Sequence, residues 1–241
     1  MRVLFFGDIV GEPGLRALER ELPALLERLR PDFVVANGEN LDLTLPEQGR
    51  AGMTLASLER LFRLGVDAVT GGNHSFDPPN LEEVLGHPQV LRPLNYSPLA
   101  PGRGSLLLEK GDKRLLVVNV AGRSALPRAA EDPLPALERL LAEGEGVPVL
   151  VDFHSESVFE KMAAAYALDG RIAALLGTLV GQASGGAPLP FSLGLLGLGV
   201  LAFAAVFLAE ASPLCGSPPP GGPGGSPPGS APPGGGGGPG G

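Results

Sequence analysis

Along the first 178 residues, short apolar runs alternate with longer stretches in which leucines recur every three or four positions. The run VLFF at 3–6, bounded by Gly7, predicts a buried strand. Gly11, Pro13 and Gly14 then open a helix in which Leu15, Leu18, Leu22, Leu25, Leu26 and Leu29 form one stripe, so it covers a face of a sheet. Pro23 is a candidate kink within it. A second strand is predicted at 32–36 (DFVVA), loop over 41–52, a helix through Leu55, Leu58, Leu61 and Phe62 that stops at Gly65, and a third strand through Val66, Ala68 and Val69. Beyond these come a short helix at 81–85, an extended segment at 90–96 broken by Pro93, and a hairpin pairing 106–109 with 115–120 across KGDK. A helix at 134–141, a buried strand at 147–153, a helix at 162–168 and a strand at 172–176 complete the pattern. Strands alternating with helices predict α/β layers, and the hairpin makes the sheet mixed.

The chemistry falls where these strands end, which in α/β sheets is the ligand crevice. The first strand delivers Asp8, and the second runs into Asn37, Gly38, Glu39 and Asn40. The third ends in TGGNHSFD (70–77), which places Asn73, His74 and Asp77 after two glycines, and the strand at 147–153 ends in His154, Ser155 and Glu156. Taken alone, TGGNHSFD reads as an ordinary turn. Four strand ends that offer only carboxylate, amide oxygen and imidazole point instead to a harder or borderline divalent ion such as Mn, Fe or Zn. A carboxylate such as Glu39 can bridge two ions, and two cations a few Å apart can clamp a phosphate ester and acidify a bound water. His74 is then placed to protonate the leaving oxygen. The spacing in GDIVGEPG does not match the dinucleotide fingerprint GxGxxG, and Asp8 repels a bare pyrophosphate, so a Rossmann cofactor site is not expected.

With 241 residues the chain is long enough for one sizeable domain and something extra. Its net charge of -8 leaves no basic stripe, so double-stranded nucleic acid is not expected as a partner. The charge of a phosphorylated substrate has to be met by metal ions or backbone N–H groups. The single cysteine, Cys215, rules out an intrachain disulfide framework, and the first apolar run is too short for a signal peptide, so a cytoplasmic location is expected. His87 reads as a surface residue, and Lys161 and Arg171 as a solvated helix face.

Five segments in order, GDIVGEPG, ANGEN, GGNHSFD, LRPLNYSPLAPGRG and DFHSESVFEKMAAAYALDGR, resemble the YmdB-like branch of the calcineurin-type metallophosphoesterases, through about residue 178. The resemblance implies a mixed-sheet α/β fold, a four-layer αββα sandwich. It also implies a binuclear centre of two divalent metal ions, Fe or Mn, and phosphodiesterase activity toward a small phosphodiester such as a cyclic nucleotide. Asp8, Glu39 and Asn40 match the ligands of one metal, with Glu39 bridging. Asn73 and His154 match ligands of the second, and His74 matches the proton donor. The oligomeric state stays open.

Two departures qualify this expectation. After ANGEN the family has a glycine-rich AAGGKG-like segment where residues 41–46 here read LDLTLP. The family's last matching strand leads into GTHTH, whereas Gly177 and Thr178 are followed by Leu179, Val180 and Gly181, so Leu179 and Gly181 replace two metal-binding imidazoles. The phosphoesterase domain is therefore expected over 1–178, apparently truncated, with an apolar segment at 179–211 and a Pro/Gly-rich low-complexity tail at 212–241. Beyond Arg171 the only charged residue is Glu210. The apolar stretch 190–209 has the length of a membrane span but lacks flanking Lys or Arg and an aromatic belt, and as a core helix it lacks a polar face. A shifted reading frame in G+C-rich DNA is the preferred account of 179–241, because it also explains why the resemblance stops just before the histidines. The alternative to an impaired hydrolase is a non-catalytic remnant or binding protein, membrane-tethered through 190–209 in one version.

Overall fold

The computed structural model describes residues 1–43, 51–124, 130–143 and 146–177, and the backbone of Ala204–Leu208. In chain order the elements are β1 (Arg2–Asp8), α1 (Gly11–Leu29), β2 (Phe33–Asn37), α2 (Leu55–Arg63), β3 (Ala68–Thr70), a 3-10 turn (Asn73–Phe76) and α3 (Leu81–Gly86). They continue with β4 (Ser105–Lys110), β5 (Lys113–Ala121), α4 (Pro133–Glu143), β6 (Val149–His154), α5 (Val158–Ala167), β7 (Ala174–Leu176) and β8 (Ala204–Leu208). One sheet has the order β3-β2-β1-β8, parallel except for the antiparallel β1–β8 pair. The other has the order β4-β5-β6-β7, with the β4–β5 hairpin antiparallel and the rest parallel.

Side-chain alternation along the strands sorts the apolar residues into three layers. Leu4, Phe6, Val34 and Ala36 pack outward with Leu15, Leu18 and Leu22 of α1 and Leu58 and Leu61 of α2. Val3, Phe5, Phe33, Val35 and Ala68 face inward against Leu115, Val117 and Leu150 of the second sheet. On the far side, Val118, Val120, Val151 and Phe153 pack with Leu137 of α4 and Ala164 of α5. Helices, sheet, sheet and helices give the four αββα layers that the resemblance implies.

Most element positions follow the sequence reading, and the differences have local causes. Pro23 lies inside α1, which nonetheless runs from Gly11 to Leu29. Residues 90–96 form no strand, only isolated bridges from Val90 to Val69 and from Leu91 to Arg103. Helix α5 begins four residues earlier than expected because the Ser157 hydroxyl accepts the Glu160 N–H at 3.3 Å, capping the first turn. The chain divides by contact into Met1–Glu210 and Ala211–Gly241, and the second unit lies outside the described residues. So do Leu179, Gly181, Cys215 and most of the apolar stretch at 190–209; its segment Ala204–Leu208 is a strand rather than part of a core helix.

Candidate metal centre

Each strand end aims its polar residue by a distinct local device. In β1, Phe6 pairs with Ala36 but Asp8 pairs with Asn37, so Gly7 is an extra residue on that strand. Such a bulge increases the local twist and re-aims the next side chain, here Asp8. After β2 the chain turns tightly, with Gly38 N–H donating to the Thr70 carbonyl and Leu41 N–H to that of Gly38, and this turn presents Glu39 and Asn40. After β3, Gly71 and Gly72 lead into the 3-10 turn that opens on Asn73 and His74. A side chain at Gly72 would displace the Glu39 carboxylate, because its Cβ would lie 2.5 Å from the Glu39 Cδ.

Side chains of Asp8, Glu39, Asn40, Asn73 and His154 meet in one cluster, which the His74 backbone N–H also reaches. Donor atoms of Asp8, Glu39 and His154 lie within 4.8 Å of one another. His154 Nδ1 is 2.8 Å from Glu39 Oε2, and its Nε2 is 2.9 Å from Asn73 Oδ1. Asn40 Nδ2 donates to Asp8 Oδ2 at 3.3 Å, and His74 N–H donates to Glu39 Oε1 at 3.2 Å. His74 is the most open of the set, its side chain 31% exposed, and its Nδ1 is held 2.7 Å from Asp77 Oδ2. That contact leaves Nε2 as the ring nitrogen free for other partners.

The electrostatics of the cluster are those of a site short of positive charge. Burial, and then the neighbouring Glu39 carboxylate, push the Asp8 carboxyl up to about 7. Burial works against the charged form of His154, yet Glu39 beside it, together with Asp8 and Asp152, raises it to about 9. Asp8 Oδ1, Glu39 Oε2 and His154 Nδ1 are buried and make no hydrogen bond of good alignment, although the last two face each other as a close ion pair. Buried polar atoms in that condition ordinarily need an explanation, and a cation is a chemically suitable one. Oxygen and imidazole donors at this separation fit a divalent cation.

One residue beside the site was not singled out from the sequence. Asp152, two residues before His154 on β6, is buried and accepts hydrogen bonds from Asn37 and Thr70. Burial raises its carboxyl above the usual range, despite those two hydrogen bonds. A charged residue inside the apolar run VLVDFH was the available signal. Lys161 corrects an expectation: it does not sit on a solvated helix face but is only 8% exposed, and burial lowers its ammonium pKa. Arg171 is half exposed, 3.9 Å from Glu138, but lies in the turn after α5 rather than on the helix face expected. His87 is partly buried and stacks on Phe62 with ring centroids 4.6 Å apart, so it packs against α2.

The chain matches the family model of YmdB-like proteins over residues 4–180. It is 35% identical over 181 residues to a 2',3'-cyclic-nucleotide 2'-phosphodiesterase of Bacillus subtilis (strain 168), covering 74% of this chain and 66% of that protein. A hypothetical protein from Thermus thermophilus shares the fold with a TM-score of 0.67 at 46% identity, over 74% of this chain and 67% of that one. A phosphatase from Mycoplasma pneumoniae gives a TM-score of 0.66 at 29% identity, over 74% and 63% respectively. The chain spans just under two thirds of the length of the curated relatives it matches, 66% of one and 63% of another. On a family match that covers well over half of the sequence, the chain belongs to the YmdB-like family.

Proposed function

We propose that residues 1–178 form a metal-dependent phosphoesterase domain acting on a small phosphodiester such as a cyclic nucleotide, with activity reduced in this chain by the residues at 179 and 181. The observation that carries the reading is the convergence of buried carboxylate and imidazole groups, from strand ends far apart in sequence, on one point. Asp8, Glu39, Asn40, Asn73 and His154 would hold two divalent ions, Fe or Mn. When bound, such ions neutralise phosphate charge, polarise phosphorus and lower the pKa of water. Among the described residues, the positive charges beside Asp8 and Asp152 are the His154 imidazole and the buried Lys161. His74 serves as general acid: Asp77 fixes its Nδ1 side, so Nε2 can hold the proton that the departing alkoxide takes up.

A second reading rests on a specific observation, the Leu179 and Gly181 that stand where the family pattern has histidines. Each ion would have one imidazole fewer, which favours a binding protein or remnant over an efficient enzyme. A cytoplasmic location is proposed on the sequence reading, with the membrane-anchored alternative through 190–209 lying mostly outside the described residues. Among the described residues no helix is long and apolar enough to cross one. Metal analysis of the purified chain together with turnover of bis-p-nitrophenyl phosphate separates the readings. Two equivalents of Mn or Fe with measurable hydrolysis support the phosphoesterase, whereas no tight metal and no turnover support the remnant.

A further inference from the structure

On four strands the inward side chain that follows the apolar inter-sheet layer is polar. Val35 gives way to Asn37, Ala68 to Thr70, Val117 to Asn119 and Leu150 to Asp152. All four are buried, the first three completely and Asp152 at 1% exposure. They hydrogen-bond to one another across the gap between the sheets. Asp152 Oδ2 accepts from Asn37 Nδ2 at 2.8 Å and from Thr70 Oγ1 at 2.5 Å, which ties β6 to β2 and β3. Asn119 Oδ1 accepts from Gly71 N–H at 3.3 Å, and its Nδ2 donates to the Asp152 carbonyl at 3.3 Å.

The consequence for the site runs through the Asn37 amide. Its nitrogen is committed to Asp152 and, at 3.1 Å, to the Gly71 carbonyl. Its oxygen therefore faces the other way and accepts the Glu39 N–H at 3.0 Å. Flipping that amide would set an N–H against the N–H of Glu39 and leave both buried and unpaired, a penalty of about 1–3 kcal/mol for each group. An acceptor at position 152 is what fixes the orientation. Two residues along the same face of β6, His154 meets the Glu39 carboxylate. One strand thus holds Glu39 from behind, through Asn37, and from in front, through the imidazole.

We propose that Asp152 is a positioning residue for the metal centre, which orients Asn37 and so sets the Glu39 carboxylate opposite Asp8 and His154. The proposal rests on the metal-centre reading above. Asp152→Asn keeps an oxygen acceptor for Asn37 and Thr70, whereas Asp152→Ala removes it. Two quantities are read in the parent and both variants: Mn2+ affinity by calorimetry, and hydrogen exchange of the Glu39 backbone amide in the metal-free chain. In D152A the affinity is expected to fall about 10–100-fold, the range for losing a group that orients a ligand, and Glu39 exchange to accelerate. D152N is expected to stay close to the parent in both. A folded D152A with unchanged affinity and exchange overturns the proposal, as does a D152N as impaired as D152A. If D152A does not fold, Asp152→Ser, whose shorter side chain withdraws the acceptor from Asn37, decides: faster Glu39 exchange supports the proposal and unchanged exchange overturns it. If the parent takes up no Mn2+, the metal reading fails by itself, and exchange alone judges the positioning of Glu39: protection lost in D152A and kept in D152N upholds it, and equal protection in all three overturns it.

Discussion

Between pH 7 and 9 the affinity of the chain for Mn2+ should rise about tenfold per pH unit, for a reason that lies in His154. Its two ring nitrogens face Glu39 Oε2 at 2.8 Å and Asn73 Oδ1 at 2.9 Å, an arrangement suited to the doubly protonated ring. Burial opposes that charge, but Glu39, Asp8 and Asp152 raise the imidazole to about 9. A metal ion binds only the neutral ring, so each ion taken up at His154 releases a proton. Two pH units then amount to about 100-fold in affinity, or about 2.7 kcal/mol. Above about 9 the dependence should flatten. Below about 7 it should steepen, because Asp8, raised to about 7, must lose its proton as well. Anaerobic calorimetric titrations in two buffers of different ionisation enthalpy count the released protons directly. An affinity flat from pH 7 to 9 with no proton release would refute the reasoning.

The same groups make the metal-free chain sensitive to pH in a definite direction. The His154 pKa is raised from 6.5 to about 9, so the stability it contributes is complete below about 6.5 and is lost as pH climbs through about 9. Asp8 and Asp152, also raised, act in the same sense at lower pH. Thermal melting without metal should fall between pH 6 and 9.5, and added Mn2+ should reverse the fall. Gly72→Ala would bring a Cβ to 2.5 Å from the Glu39 Cδ, and Mn2+ affinity is expected to drop by about tenfold or more, within the range for displaced ligands, while circular dichroism stays native. Restoring Leu179→His and Gly181→His together should raise metal occupancy and phosphodiester turnover, measured by metal analysis and p-nitrophenol release. In that repaired chain, His74→Gln should reduce kcat by about 100- to 10,000-fold with Mn2+ affinity unchanged.

The strand ends were legible because β-alternation stops abruptly at each of them, and the polar residues that follow are few and chemically alike. Asp8, Glu39, Asn40, Asn73, His74 and His154 could be picked out by type and by place after an apolar run, and the structure brings the side chains of all but His74, and the His74 backbone N–H, within one cluster. What could not be read was the division of strands between two sheets, because nothing local says that β4 begins a new sheet rather than extending the first. The resemblance to a known sandwich supplied that step. Asp152 and Asn119 were passed over for a related reason: each lies inside an apolar strand, where a polar residue acquires meaning only from the strand that faces it. Lys161 was misplaced because its helix was started at Met162, which left the register of its inward face unread; the Ser157 cap moves the start to Val158 and turns Lys161 inward.

The convergence of donors on a metal is tested most directly by diffraction from a crystal soaked in Mn2+, with data collected at the manganese absorption edge. The account predicts an anomalous peak bounded by Asp8, Glu39 and His154, with a second beside Asn73 as occupancy increases. An ordered crystal with these side chains in place and no peak among them, or with manganese only elsewhere on the surface, would contradict it.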